Sequence, residues 1–591
     1  MNDLVYNEIV ATPGYELEFA VGTTYSLDAE AFLAIALSFA RLGDVSDADF
    51  QSPFRLLEGL RQANNRVAIF CNRGGLQPPT RMNPLYAMLD KSVFEVANEQ
   101  KGRELANFHP KIWIIKERSI DNHEKRQIKL IVMSRNLTKD TSLDCAVSMT
   151  APLGVRTNAD LRRKHQPLKD LLLILAEKAN SDKKKKIKKL ANDFDSMGAF
   201  ELEPPYEDYD FLPIHFGENL NECIDFQSEL PAERMVVVSP FIDMETLTWL
   251  NCFRSKQEKI LITRLDSLTS EIMELYSGEN KEVWVMSQIA ETNDIQSMNL
   301  HAKMYFSWGP KSGGIHLWLG SSNATHNGFY RNSEFLLKLT MKRGRGQFED
   351  FKAEFCDEKE QMCERITSLP KMEPVKEDYS LAISVCKNLI SRNNLSAEIV
   401  EKNGAYVLII SAKKVRDIKG RITIAPIQEP CNEVDLSPEF QQCTISIANR
   451  SHLSEFYILK VTPDDELVDP VKMAIKIPTK GIPEDRDDHI FRSLIDTRDK
   501  FLNYVEMMIT DRPQELATLL MQNSESETSV SLRKQNSRSN TLYESLLRIA
   551  ATNPERLEDV QELVNRLDDT VIPESFAQMC TKFKQSIKKL R

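Results

Sequence analysis

The chain has 591 residues, of which 41% are hydrophobic and 28% are charged, proportions that are ordinary for a soluble globular protein. At about 150 residues per domain, this length predicts roughly four domains. The net charge of −11 argues against a small basic chromatin-type protein. A nucleic-acid site would therefore have to be a local basic patch.

Two further features bear on location. No apolar run approaches the ~20 residues of a membrane span, and the N-terminal residues lack the basic region and apolar core of a secretory signal. The ten cysteines are sparse and include no C-x-x-C pair, which argues against a disulfide scaffold or a zinc ribbon. We therefore expect a cytoplasmic protein that has reduced thiols, no bound metal or cofactor, and no membrane partner.

Short, branched apolar runs dominate the first 370 residues and alternate with helical patterns, such as that of Ala29–Arg41. Runs that are apolar on both faces are typical of strands in a sheet covered on both sides. The runs that predict strands are Arg66–Phe70, Ile112–Ile115, Ile128–Met133, Met235–Pro240, Ile260–Thr263, Val283–Met286, Ile315–Leu319 and Phe335–Leu339. The predicted class is α/β, or mixed α+β, with central sheets.

Shifts in composition divide the chain into four segments, 1–200, 206–370, 376–482 and 484–591. The second ends in a charged helical stretch at 346–367. The third consists of short strand patterns and predicts a β-sandwich. The fourth has helical spacing over Phe491–Met508, Glu515–Met521, Leu542–Ala551, Arg556–Leu567 and Phe576–Leu590, around a polar, mobile loop at Ser524–Ser539.

An ordered set of polar residues occurs in the first segment. His109 and Lys111 open one strand pattern, and Ser134 and Asn136 follow the next, with Asp144 eight residues after the asparagine. Histidine and lysine two apart in a strand project to the same side. Because the asparagine follows the end of the adjacent strand, the three side chains can converge at one edge of the sheet.

The second segment repeats this set. His301 and Lys303 open a strand pattern, Ser321 and Asn323 follow the next, and Glu334 comes eleven residues after the asparagine. A single His-x-Lys arises by chance, and a single Ser-x-Asn after a strand is usually a turn or helix cap. Two copies in the same strand–strand setting are much harder to explain as turns, and they indicate a functional site.

The paired His-x-Lys…Asn patterns resemble those of the phospholipase D superfamily over about residues 20–345. The turns Gly22–Asp28 and Val238–Asp243 look like the first strand and following turn of each half. The resemblance implies duplicated sheet domains in a pseudo-two-fold arrangement, with the β-sandwich and helical domain appended. It departs from the phospholipase form, because Lys116 and Trp308 stand where that form has an Asp. The pattern is closer to the nucleases and tyrosyl-DNA phosphodiesterases of the superfamily.

The resemblance implies a metal-independent phosphodiesterase in which one histidine attacks phosphorus and the other protonates the leaving oxygen. His109 is the expected nucleophile, and Asp144 and Glu334 are suited to orienting an imidazole. The expected catalytic residues are His109, Lys111, Asn136, Asp144, His301, Lys303, Asn323 and Glu334. The expected substrate ligands are Ser134, Arg135, Ser321 and Ser322.

The expected substrate is nucleic acid, with DNA favoured. Lys183–Lys189 carries six lysines in seven residues and is either a solvated helix face or part of a groove for a polyanion. Two alternatives remain open: a phospholipid phosphodiesterase, and a partner-controlled or non-catalytic binding protein with the same fold. Superfamily nucleases often serve bacterial defence or restriction beside a motor ATPase. Since this chain has no phosphate-binding loop, that ATPase would be a separate partner, and the appended segments suit a homodimer or higher oligomer.

Overall fold

A computed structural model of the chain describes most of the first 510 residues and isolated positions after them. The described residues are 8–39, 53–79, 83–97, 106–138, 142–216, 234–251, 258–286, 299–309, 314–341, 348–356, 363–369, 395–412, 421–436, 442–462, 470–509 and single positions or short runs between 546 and 582. The predicted segments Glu515–Met521 and Ser524–Ser539 lie outside them, and the later predicted helices are described only at isolated residues.

The elements alternate between strands and helices, as expected for a mixed α/β fold. The strands are β1 Tyr15–Thr24, β2 Leu27–Asp28, β3 Val67–Asn72, β4 Leu76–Gln77, β5 Val93–Val96, β6 Ile112–Ser119, β7 Arg126–Met133, β8 Ser142–Leu143, β9 Ala146–Pro152, β10 Tyr206–Ile214, β11 Arg234–Val238, β12 Lys259–Thr263, β13 Lys281–Met286, β14 Asn299–Leu300, β15 Met304–Trp308, β16 Ile315–Gly320, β17 Glu334–Met341, β18 Cys363–Arg365, β19 Leu395–Lys402, β20 Ala405–Ala412, β21 Arg421–Pro426, β22 Val434–Asp435, β23 Gln442–Ile447, β24 Phe456–Thr462, β25 Val471–Lys476 and β26 Thr479–Lys480. The α-helices are α1 Ala29–Phe39, α2 Pro53–Arg66, α3 Ala159–Lys178, α4 Ser181–Asp193, α5 Met244–Asn251, α6 Ser270–Leu275, α7 His326–Tyr330, α8 Phe348–Phe355, α9 Arg486–Leu494 and α10 Arg498–Ile509.

Two mixed sheets share one strand pattern. The first sheet has the order β5-β3-β1-β6-β7-β9, and the second contains β13-β12-β11-β15-β16-β17 in the corresponding positions, with β18 and β10 added at its edges. In both, the three strands at one side are parallel and the remaining three of the shared six are antiparallel. The strands that carry the repeated sequence motif therefore occupy equivalent places in two sheets.

The two sheets pack against each other where the motifs lie. Leu130 and Val132 of β7 share one buried apolar cluster with Leu317 and Leu319 of β16. Strand β8 pairs in parallel with β14, and Phe108 forms a bridge with Ser333. Each sheet thus contributes backbone to the neighbourhood of the other sheet's histidine, which brings the two motifs together.

The later segments contact the N-terminal segment through a shared sheet and a helix. The four-stranded sheet β23-β20-β19-β26 and the six-stranded sheet β2-β4-β25-β24-β21-β22 enclose one apolar core, as expected for a β-sandwich. Two strands of the larger sheet, β2 and β4, come from the N-terminal segment. Helix α10 packs against helix α2 of the N-terminal segment, where the buried Tyr504 hydroxyl donates to Glu58 Oε2 at 2.7 Å.

All eight predicted strand runs form strands, and one helical expectation was wrong at its end. The stretch 346–367 forms helix α8 only to Phe355, and its end returns to the second sheet as β18. The helical spacing predicted over Phe491–Met508 corresponds to two helices, α9 and α10. Thr497 directly precedes the second helix and caps it, since its hydroxyl accepts from the Lys500 N–H at 3.3 Å. A capping side chain starts a new helix without altering the apolar spacing that predicted one.

The lysine-rich run forms much of helix α4 and makes contacts with the protein itself. Lys183 is fully buried, and its ammonium donates to the Asn64 carbonyl at 2.6 Å. Lys188 lies 2.9 Å from Glu177, and Lys184 pairs with the same carboxylate. Lys186 pairs with Asp182 at 2.9 Å. These contacts favour the helix-face interpretation over a groove for a polyanion.

Candidate active site

His109 is held by a carboxylate from the second sheet. Its Nδ1 lies 2.8 Å from Oε2 of the fully buried Glu334. A carboxylate can only accept, so Nδ1 carries the proton and donates, and Nε2 keeps its lone pair. The His109 N–H also donates to the carbonyl of Ser333 at 2.8 Å, which fixes the main chain beside the carboxylate.

His301 has the reciprocal arrangement with the first sheet. Its Nδ1 lies 2.8 Å from Oδ1 of Asp144, whose side chain is 2% exposed. The His301 N–H donates to the carbonyl of Leu143 at 2.9 Å, and Leu143 precedes Asp144 just as Ser333 precedes Glu334. Each sheet therefore orients the histidine of the other, and neither half-site is complete alone.

The two carboxylates are fixed by the same set of donors. Ser134 donates to Asp144 at 2.8 Å, and Ser321 donates to Glu334. The second oxygen of each carboxylate accepts from the residue two positions earlier, Ser142 at 2.6 Å and Asn332 at 3.3 Å. Such donors fix the rotamer of a carboxylate, which in turn fixes the imidazole that it accepts from.

Two buried ammonium groups lie among these residues. Lys111 Nζ lies 3.1 Å from His109 Nε2 and donates to the His109 carbonyl at 3.0 Å. Lys303 Nζ donates to the His301 carbonyl at 2.6 Å. Burying an ammonium costs free energy unless an anion compensates it. Here the charges of Glu334 and Asp144 compensate part of that cost for both ammonium groups.

The electrostatics show that the two half-sites act on each other. Burial lowers the pKa of His109 to about 4, against the opposing charge of Glu334, and the charges of Lys111 and Lys303 lower it further. Burial and the charge of Lys303 likewise lower the pKa of His301, with a smaller effect from Lys111. Burial also lowers the pKa of Lys303 to about 8. The two histidines and the two lysines therefore affect one another's pKa values and belong to one site.

The two asparagines follow strands β7 and β16, as predicted. Asn136 Oδ1 accepts from the Ser26 N–H at 3.5 Å. Asn323 Oδ1 is buried and has no hydrogen-bond partner among the residues the structure describes. Gly320 opens the second turn with φ +151°, and a Cβ there would lie 2.2 Å from the Phe335 carbonyl. This turn therefore requires glycine, which lets the strand pass close to the one that carries Glu334.

The four residues expected to bind substrate are buried and already engaged. Ser134, Ser321 and Ser322 are fully buried, and the Ser322 hydroxyl donates to the Gly328 carbonyl at 3.0 Å. Arg135 is 3% exposed and lies 3.6 Å from Asp144 Oδ2. Ser134, Ser321 and Arg135 thus contact the two carboxylates, and their expected substrate contacts stay a prediction.

Sequence reasoning missed three residues at this site. Ser142 and Asn332 each stand two residues before the acid, a correspondence that aligning the two copies at Asp144 and Glu334 would have revealed. Tyr25 lies with its ring centroid 5.0 Å from that of His109. Its counterpart in the second copy is Pro240, so the repeat carried no signal for it.

Neither a metal-binding cluster nor a membrane-spanning helix occurs among the residues that the structure describes. No group of three or more His, Cys, Asp or Glu side chains is placed to hold a metal ion in the described ranges. None of the described helices is both long and apolar enough to cross a membrane.

Comparison with known proteins gives distant structural similarities. Yeast tyrosyl-DNA phosphodiesterase matches with a TM-score of 0.35 and 12% identity, over 57% of this chain and 85% of that one. Phosphatidylserine synthase from Haemophilus influenzae Rd KW20 matches with a TM-score of 0.36 and 12% identity, over 63% and 86%. Polyphosphate kinase from Porphyromonas gingivalis matches with a TM-score of 0.29 and 10% identity, over 64% and 51%. No protein-family model and no curated protein matches the chain.

Proposed function

We propose that this protein is a metal-independent phosphodiesterase of phospholipase D type that cleaves nucleic acid through a phosphohistidine intermediate. The observation that supports it most is the pair of imidazoles, each held through Nδ1 by a carboxylate of the other sheet. Such a pair supplies a nucleophile and a general acid in one site. The buried ammonium groups of Lys111 and Lys303 suit the anionic oxygens of a phosphodiester.

The first step follows from the protonation of His109. Neutral His109 attacks phosphorus through Nε2, the bond from phosphorus to the leaving oxygen breaks, and His301 gives its Nε2 proton to that oxygen. The phosphorylated imidazole then carries positive charge, which Glu334 stabilises across its 2.8 Å contact. In the second step neutral His301 takes a proton from water, the hydroxide attacks phosphorus, and the phosphorus–nitrogen bond breaks. Both histidines then regain their starting protonation states.

We extend the proposal to DNA as the favoured substrate and to a role as a cytoplasmic defence or restriction effector in bacteria. Action within an oligomer, with a separate ATPase, belongs to the same proposal. The support is the motif pattern, which is closer to the nuclease branch of the resembled superfamily than to its lipases.

The pH dependence of kcat/KM follows from the two pKa values in the free protein. His109 must be neutral to attack, and its pKa is about 4. His301 must be protonated to donate, and its pKa lies below the ordinary 6.5. We therefore expect kcat/KM to be highest between about pH 4 and 6.5 and to fall about tenfold per pH unit above the pKa of His301. Initial rates across pH 3.5–9 measure this profile, and activity that rises above pH 7 would contradict these roles.

The same lowered pKa values require a stability control. The unfolded state binds more protons than the folded state between the ordinary pKa of 6.5 and the folded pKa of about 4. The free energy of unfolding therefore falls as the pH falls through this interval. Thermal unfolding at each pH will separate loss of fold from loss of activity on the acidic side.

The test of the proposal is a set of cleavage assays on four labelled substrates: single- and double-stranded DNA and RNA of one sequence. We expect cleavage of at least one, unchanged by excess EDTA, and none by the His109→Ala variant. Release of headgroup from phosphatidylcholine vesicles is the parallel assay for the lipid alternative. Strict dependence on an added divalent metal would overturn the mechanism, and headgroup release without nuclease activity would overturn the substrate class.

A further inference from the structure

We propose that Phe241 forms a stacking surface for an unpaired nucleobase beside the phosphodiester site, so that the substrate is single-stranded. This inference rests on the proposed function and adds the strandedness of its substrate. Among the described residues, three of the six large hydrophobic side chains that are exposed lie in the turn after β11, at the start of α5 and at the end of α7. They are Phe241, Met244 and Tyr330, which are 45%, 40% and 36% exposed.

The turn that carries Phe241 is joined to the loop of Asn323. Ile242 forms a bridge with Ala324, and the Ala324 N–H donates to Ser239 Oγ at 2.9 Å. On the other side of Phe241, the Asp243 N–H donates to the Ala324 carbonyl at 3.1 Å. Phe241 is therefore fixed by the backbone of the loop that positions one of the candidate site residues.

A cation connects Phe241 to the same site. The Arg264 guanidinium lies 5.4 Å from the centroid of the Phe241 ring, within the range of a cation–π contact. Arg264 directly follows β12, whose end lies at the same edge of the sheet as the end of β11. Its charge also lowers the pKa of Lys303, which places it within electrostatic reach of the buried ammonium. Phe241 and Arg264 thus form an aromatic and cationic pair at the edge of the site.

The equivalent turn of the first sheet is less exposed, since Ser26 stands in the place of Phe241 and is half-buried. There the Leu27 N–H and the Ser26 hydroxyl both donate to the Gly75 carbonyl, at 2.9 and 3.1 Å. Strands β2 and β4 then continue into the sheet of the β-sandwich. The duplicated fold therefore does not require an exposed aromatic at this turn, because the first copy has a serine there that donates to the loop before β4. Exposure of Phe241 is a property of the second copy alone.

An aromatic beside a phosphodiester site suits a nucleobase better than a lipid. Stacking of a base on an aromatic side chain contributes about 1–3 kcal/mol and needs a free base face, which an unpaired nucleotide offers and a paired, stacked one does not. An acyl chain has no flat face to stack on an aromatic ring. The carboxylates beside these apolar residues, Glu245 and Asp266, lie 3.2 Å from His326 Nδ1 and 3.1 Å from the Arg264 guanidinium.

The experiment compares Phe241→Ala, Phe241→Trp and Ile120→Ala in the full-length protein. Ile120 is the matched control, because it is also 45% exposed but follows the end of β6 that lies away from His109. For a labelled single-stranded oligonucleotide we expect Phe241→Ala to raise KM about tenfold with a smaller change in kcat. Phe241→Trp should restore KM, and Ile120→Ala should behave as the wild type. A blunt duplex of the same sequence should be a poorer substrate for the wild type.

Hydrolysis of bis(p-nitrophenyl) phosphate by the wild type separates the failure of this inference from failure of the proposed function. If the wild type hydrolyses this diester but cleaves single strand and duplex equally, or if Phe241→Ala leaves KM unchanged, the stacking proposal is wrong and the phosphodiesterase proposal stands. If the wild type cleaves neither the diester nor any oligonucleotide, the proposed function fails first. Binding of the wild type to phosphatidylcholine vesicles that Phe241→Ala abolishes would assign the surface to lipid instead.

Discussion

Alanine at His109 is expected to lower kcat by about 10⁴-fold or more for any phosphodiester, because it removes the atom that bonds to phosphorus. Alanine at His301 is expected to lower steady-state turnover as much, but to leave the first step possible for a suitable leaving group. With p-nitrophenol as the leaving group, which departs without a proton, His109 should still attack once. We therefore expect a burst of about one p-nitrophenol per chain from His301→Ala and none from His109→Ala.

Stopped-flow absorbance with bis(p-nitrophenyl) phosphate measures the burst, and denaturation in alkali followed by mass spectrometry locates the remaining p-nitrophenylphosphoryl group on His109. The matched control is His316→Ala, since His316 lies on β16 with its Nδ1 3.1 Å from Thr340 and away from the paired imidazoles. This control should turn over like the wild type. A burst from His109→Ala, with phosphate on His301, would reverse the two roles. Full turnover by both alanine variants would remove the site from the mechanism.

Neutralising the carboxylates, by Glu334→Gln and Asp144→Asn, is expected to lower kcat by about 10²- to 10⁴-fold, because an amide can hold the imidazole in the wrong tautomer. The two variants should differ in the step they affect. Glu334 holds His109, so Glu334→Gln should slow the burst itself. Asp144 holds His301, so Asp144→Asn should leave the burst and slow the second phase.

Double variants test the crossed pairing directly. In the His301→Ala background, adding Asp144→Asn should leave the burst rate unchanged, because the partner of Asp144 is already absent. Adding Glu334→Gln to the same background should slow the burst, since the two changes then affect different histidines. The reverse result would mean that each carboxylate serves the histidine of its own sheet. Circular dichroism melting of each variant controls for folding, because Asp144 also lies 3.6 Å from the buried Arg135.

Much of the sheet structure could be predicted from the sequence because buried strands leave a local signal. Runs such as Ile128–Met133 and Phe335–Leu339 are apolar on both faces and form β7 and β17. The break between α9 and α10 left no such signal, because Thr497 caps the second helix while the apolar spacing continues past it. The place of β2 and β4 in the sandwich sheet could not be predicted either. Pairing of short strands with residues some 400 positions away depends on tertiary packing.

The residue types of the candidate site could be predicted from the amino-acid sequence. A repeated His-x-Lys, Asn and acid were visible as two ordered sets, and the strand period places histidine and lysine on one side. How the two sets combine depends on the packing of the two sheets. Glu334 holds His109 and Asp144 holds His301, each 2.8 Å from a residue more than 150 positions away. Spacing along a chain fixes which residues share a strand, whereas contacts between distant strands fix which carboxylate reaches which imidazole.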